Sequence, residues 1–143
     1  MSVLVVIGAA IVVILGAVHA LSTMRSSPEG GPMAPTDDTV RAAMEIPGGL
    51  GLAPHLDTTL WRAWAGFNLS HSLGVVIVGL VIGIPALSDF DAALGDARWV
   101  ALALGAPVLY LVISVRYWFR APTIGIAVAV AMIAIGVVGG ALS

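Results

Sequence analysis

Apolar residues fall along this chain in four long blocks separated by short polar breaks, with little of the alternation that marks strands or surface helices. The blocks cover residues 3–21, 60–87, 98–119 and 123–142. Each is about 20 residues long, enough at 1.5 Å per residue to cross a hydrocarbon core of about 30 Å. Within lipid a spanning segment must satisfy its own backbone, so each block is predicted to be a helix. The expected fold is all-α, a four-helix transmembrane bundle forming one domain over residues 1–143. Pro122 sits at the start of the fourth span, where a missing N–H costs little. Pro85 and the acidic stretch 88–91 are expected to end the second span. Pro107, inside the third, predicts a kink.

One long break, residues 22–57, separates the first two spans. Pro28, Pro32, Pro35, Pro47 and Pro54, with many glycines, predict mostly irregular chain. Residues 36–46 differ. Thr36 is suited to N-cap a short helix, Asp37 and Asp38 suit its positive end, and Pro47, Gly48 and Gly49 stop it. Val40, Ala43, Met44 and Ile46 form a short apolar stripe. A helix this brief is marginal alone, so it is expected to rest on the bundle mouth or the lipid interface, the alternative being a solvated linker.

Composition strengthens this picture. The chain is 59% hydrophobic and 10% charged, with a mean hydropathy of +1.07, where a soluble domain carries about 25% charged residues. The net charge is −2 with no lysine, which gives no footing for nucleic acid. Cysteine is absent, which excludes disulfides and thiolate metal sites. Of the six basic residues, Arg25, Arg41, Arg62, Arg116 and Arg120 lie on the side reached after the first span, and Arg98 alone lies on the other. The positive-inside rule then makes that first side cytoplasmic and places both termini outside. Residues 18–20 resemble a signal-peptidase site, yet residues 1–3 carry no basic side chain and the apolar run is long for a signal; a retained span is expected.

The candidate chemistry is concentrated where the second span opens, in TTLWRAWAGFNLSHSLG, residues 58–74. At about 100° per residue, Trp61, Trp64, Asn68, His71 and Val75 share one helix face, and Ser72 joins it. Ser70 points nearly the opposite way and Arg62 lies to one side. Polar groups at membrane depth need partners that lipid does not offer, so this face is expected to turn inward. The two indoles serve either as interfacial anchors or as the wall of a pocket. Asn68, Ser70 and Ser72 serve either as hydrogen-bonding glue, with Gly66 and Gly74 permitting close approach, or as ligand-orienting groups. His71, roughly 10 Å past Trp64, has Tyr110, Ser114 or a backbone carbonyl as structural partners, with ligand binding or proton transfer as the functional alternative.

The other spans offer His19 near the cytoplasmic end of the first, and Tyr110, Ser114 and Tyr117 at spacings of 4 and 3 in the third. The first span is otherwise plain, with Gly8 and Gly16 on one face, and the fourth reads as packing material. A haem held by His19 and His71 would need both at nearly equal depth on opposite faces of one iron, whereas counting from the span ends sets them about a turn apart. Zinc would want three or four ligands, which requires Asp57 to fold inward; no metal site or cofactor is assigned. No P-loop, Gly-x-Ser-x-Gly or His-Glu-x-x-His pattern occurs. Every Asp and Glu falls in a predicted loop, which weighs against a transporter built on buried carboxylates.

At these residues the chain resembles an uncharacterised bacterial family of small four-span integral membrane proteins. That family carries a His near the end of the first span, a Pro-containing loop, and a segment TTLWRAWxGFNxSHSLG. The matching positions here are His19, Met44, Thr58, Thr59, Leu60, Trp61, Arg62, Trp64, Gly66, Phe67, Asn68, Ser70, His71, Ser72, Leu73 and Gly74. The resemblance implies four spans in a bacterial inner membrane and marks the same polar face; it implies no activity. Three functions are therefore expected to compete. The chain is an accessory subunit bound to a larger respiratory or photosynthetic membrane complex. Alternatively, it binds or acts on an apolar, lipid- or quinone-like small molecule at Trp61, Trp64, Asn68, His71, Ser72, His19, Tyr110 and Ser114, with the loop helix as lid. The weakest reading is haem or chlorophyll ligation by His71. Whether the chain is an enzyme stays open.

Overall fold

The computed structural model describes residues 1–48 and 58–143, and among these it shows six helices. These are α1 (Ser2–Met24), α2 (Asp38–Met44), α3 (Leu60–Ser88), α4 (Phe90–Gly95), α5 (Ala97–Tyr117) and α6 (Arg120–Ala141). Four of them, α1, α3, α5 and α6, are long and apolar enough to cross a membrane, and among the described residues there is no strand beyond isolated bridges. The fold is all-α, as the apolar blocks predict. Asp57, the loop carboxylate considered for a metal site, Gly49 and Pro54 lie outside the described residues.

The chain divides into two compact units, residues 1–15 with 75–143, and residues 16–74. In the first unit the four long helices contribute to one core: Val5 and Ala9 of α1, Ile82 and Ala86 of α3, Trp99 and Ala103 of α5, and Ile133 and Val137 of α6, with Ala93 of α4. A second cluster joins Val12, Val75, Ile126 and Ala129, with Tyr110 and Leu111 packed against it. Outward positions such as Leu80, Leu87, Leu109, Val112 and Ile135 are exposed. Helices apolar on every face suit surroundings that are themselves apolar.

Two prolines sit inside helices. α3 ends at Ser88, one residue past the expected 87, and it runs through Pro85, so the acidic stretch and not the proline ends it. Pro85 has no N–H to return to the carbonyl of Val81, and the Trp99 indole Nε1–H donates to that carbonyl at 3.2 Å. The tertiary bond offsets the lost helical one, so the helix survives its proline. α5 likewise runs through a buried Pro107.

Several boundaries differ from the sequence expectation. The acidic stretch after α3 is not plain loop. Asp89 caps α4, its side chain accepting from the Ala92 N–H at 3.0 Å, and Phe90 packs edge-on against Trp99, 6.5 Å between centroids. Asp96 then caps α5 through the Arg98 N–H at 2.9 Å. α5 ends at Tyr117 and α6 starts at Arg120, so Trp118 and Phe119 alone form the turn. In the second unit the cap of α2 is Asp37 and not Thr36: its carboxylate accepts from the N–H groups of Thr39 at 2.8 Å and Val40 at 3.1 Å. A carboxylate at the positive end of a helix outcompetes a hydroxyl one residue earlier. No residue of α2 is buried, so its expected apolar stripe is not covered by protein among the described residues. The preceding loop is ordered by its own bonds: Ser26 Oγ donates to the Ser22 carbonyl and accepts from the Met33 N–H, and Arg41 donates to the Glu29 carbonyl at 2.7 Å. Gly48, in the left-handed region at φ 71°, donates to the Thr58 carbonyl at 3.0 Å.

Candidate functional site

The candidate-site residues of the second unit come from two elements, the last turns of α1 and the first half of α3. On α3 the helical periodicity sorts the side chains as the sequence predicts. Trp61 and Ser72 are buried and Trp64, Asn68 and His71 half-buried, whereas Phe67, Ser70 and Leu73 are exposed. α1 runs three residues past its predicted end at Leu21, to Met24. His19 therefore lies about a turn deeper than the sequence boundary implies, within reach of the α3 stripe.

The central contact is between His19 Nε2 and Asn68 Oδ1, 2.9 Å apart. Its polarity follows from the next bond. Asn68 Nδ2 donates to the Trp64 carbonyl at 2.8 Å, and a carbonyl only accepts, which fixes the amide orientation. Oδ1 must then be the acceptor, so His19 carries a hydrogen on Nε2. The result is a directed chain, His19 to Asn68 to Trp64, that joins two apolar helices through one carboxamide. Hydroxyls flank it: Ser72 donates to the Asn68 carbonyl at 2.7 Å, and Thr23 to the His19 carbonyl at 3.0 Å. Among the described residues no buried side-chain nitrogen or oxygen is left without a partner.

Rings surround this chain. His71 meets His19 edge to face, with centroids 5.8 Å apart and planes at 86°. Phe67 lies nearly parallel to His71 at 6.3 Å. Trp61 and Trp64 stack on each other at 5.3 Å. The two imidazoles do not suit a haem held between them. Axial ligands point at one iron from opposite sides of the macrocycle, whereas these rings touch at right angles and His19 directs Nε2 at Asn68. Among the described residues no group of three or more His, Asp or Glu gathers as a metal site would require.

Of the residues expected at a site, His19, Trp61, Trp64, Asn68, His71 and Ser72 all lie in this unit. Tyr110 and Ser114 belong to the other. Ser114 is buried, its hydroxyl donating to the Leu111 carbonyl at 2.8 Å, and Tyr110 packs against the second core cluster. The stripe expected from Tyr110 to Tyr117 ends in exposure, since Tyr117 is 77% exposed where α5 stops. One participant and one pairing escaped the sequence reading. Thr23 was counted as loop, although its spacing of four from His19 is the mark of a hydroxyl bonding back along a helix. The pairing of His19 with Asn68 depends on which faces of two apolar helices meet, for which periodicity gives no register. No protein-family profile, curated protein or solved structure matches the chain.

Proposed function

We propose that this protein is a structural or accessory subunit of a larger membrane complex in a bacterial inner membrane, belonging to the four-span family that residues 58–74 resemble, with both termini extracytoplasmic. The observation that carries this reading is the closure of the polar cluster. Asn68 spends its carbonyl oxygen on His19 and its amino group on Trp64, which is how polar side chains tie apolar helices together in lipid. A catalytic amide would keep one end for substrate. The four helices long and apolar enough to cross a membrane support a bilayer setting, and the distribution of arginines supports the orientation. Purification from native membranes in mild detergent tests the reading: the chain is expected to migrate with a defined larger assembly, and a stable, monodisperse protein with no associated subunit overturns it.

A second reading is supported by one observation. The clamp needs a single imidazole, yet His71 stands edge-on to His19 at 5.8 Å, on the helix that also carries the stacked indoles. That pairing suits orientation of, or proton exchange with, an apolar quinone- or lipid-like molecule approaching from the cytoplasmic side. Substituting His71 with Ala separates the two readings. Under the ligand reading the wild type retains a short-chain benzoquinone, and the variant folds normally but loses it. Under the clamp reading neither retains it.

A further inference from the structure

The first unit carries opposite charge at the two ends of α5. At the amino end stand Asp89, Asp91 and Asp96, with Arg98 on Asp96. At the other end the chain reads Arg116, Tyr117, Trp118, Phe119, Arg120. α5 spans 21 residues, roughly 31 Å at 1.5 Å per residue, which is the thickness of a hydrocarbon core. The acidic end and the 116–120 turn therefore meet opposite membrane surfaces.

The turn is built in an unusual way for a two-residue connection. Both arginines are exposed, and among the described residues neither enters an ion pair; the pairs formed are Arg41 with Asp38 and Arg98 with Asp96. Every carboxylate side chain of this unit lies at the far end of α5. Tyr117 and Phe119 are 77% and 71% exposed, large aromatic surfaces of the kind that settle at the headgroup level. The Arg116 guanidinium stands 6.0 Å from the centre of the Tyr117 ring, a cation–π distance that keeps the charge at the depth of the aromatic side chain. The turn is held rigidly: the Trp118 N–H donates to the Ser114 carbonyl at 2.9 Å, and the Thr123 hydroxyl bonds the Phe119 carbonyl at 3.0 Å.

We propose that residues 116–120 form a docking surface for anionic phospholipid headgroups. Arg116 and Arg120 engage the phosphates, for which the guanidinium fork is matched, while Tyr117 and Phe119 sit between headgroups and fix the depth of the bundle. The partner is an anionic bilayer surface, favoured by two exposed cations that share their end of α5 with no carboxylate side chain of the same unit. The inference does not depend on which function holds for the His19 and Asn68 cluster.

The test is the relative association of spin-labelled phosphatidylglycerol and phosphatidylcholine with the full chain in phosphatidylcholine vesicles, read by electron paramagnetic resonance. The wild type is expected to prefer phosphatidylglycerol, and the preference should shrink as salt rises. Arg116→Gln and Arg120→Gln should each reduce it about fivefold, the effect of one basic side chain at an anionic surface. The doubly substituted Lys variant, which keeps both charges, should retain it, and so should Arg98→Gln at the opposite end. Absence of a preference in the wild type, its survival in the double Gln variant, or its loss in the Lys variant overturns the proposal. So does competition by inorganic phosphate beyond that of chloride at equal ionic strength, which would mark a site for free phosphate.

Discussion

Asn68 and Trp99 illustrate one principle at two depths of the chain: in an apolar setting each polar atom is worth what its partner makes it. The Trp99 indole serves a carbonyl that Pro85 cannot reach. Replacing Trp99 with Phe keeps the ring beside Phe90 but leaves the Val81 carbonyl without this donor, at a cost of about 1–3 kcal/mol. Pro85→Ala restores a helical N–H for that carbonyl. In its background Trp99→Phe should cost distinctly less, a coupling that a double-mutant cycle on detergent unfolding resolves; equal costs in both backgrounds would contradict the assignment. Neither side of this pairing was legible in the sequence, where Pro85 reads as a terminator. The donor that rescues it lies 18 residues away on another helix.

At the scale of elements, the long helices were legible because length and hydropathy alone decide them, and their ends were not, because ends are decided by single bonds. α4 is six residues long, too short to show a period, and exists because Asp89 caps it and Phe90 anchors it. α2 starts one residue later than Thr36 would place it because the Asp37 carboxylate takes the first N–H groups. The Thr39 hydroxyl, then the N–H groups of Val40 and Thr39, hold the Asp37 carboxyl below its usual range. A depressed native pKa means the cap contributes in full above the unfolded value and is lost as pH falls through the folded one. Amide protection over residues 38–44 should therefore hold from neutral pH down to the ordinary carboxylate range and decline below it. Asp37→Asn, an equally good cap, should remove the part of that acid decline due to this carboxyl, and Asp37→Ala should fray α2 at every pH; hydrogen exchange measures both. Packing between the long helices rests on small residues. A Cβ on Gly79 would lie 2.9 Å from the Ala9 carbonyl oxygen, and one on Gly8 2.9 Å from that of Ala129. These contacts are to backbone, which cannot swing aside. Gly8→Val or Gly79→Val should each destabilise by about 1–3 kcal/mol, whereas Gly105→Ala, with open space around it, should not; thermal unfolding in mild detergent distinguishes them.

Taken as a whole molecule, the chain is an all-α membrane protein whose His19–Asn68 polar cluster lies within residues 16–74. Its sequence places His19, Asn68 and His71 toward the adjoining ends of two successive apolar blocks but leaves open whether they bind one another or something else. The structure closes Asn68 between His19 and Trp64, and the functional proposal depends on that closure. Solid-state NMR of the protein in bilayers, with nitrogen-15 in its histidines, reports it directly. His19 should carry its hydrogen on Nε2, show magnetisation transfer to the Asn68 side chain, and lose both features in Asn68→Ala. A His19 protonated only on Nδ1, with no transfer to Asn68, would contradict the clamp and the function built on it.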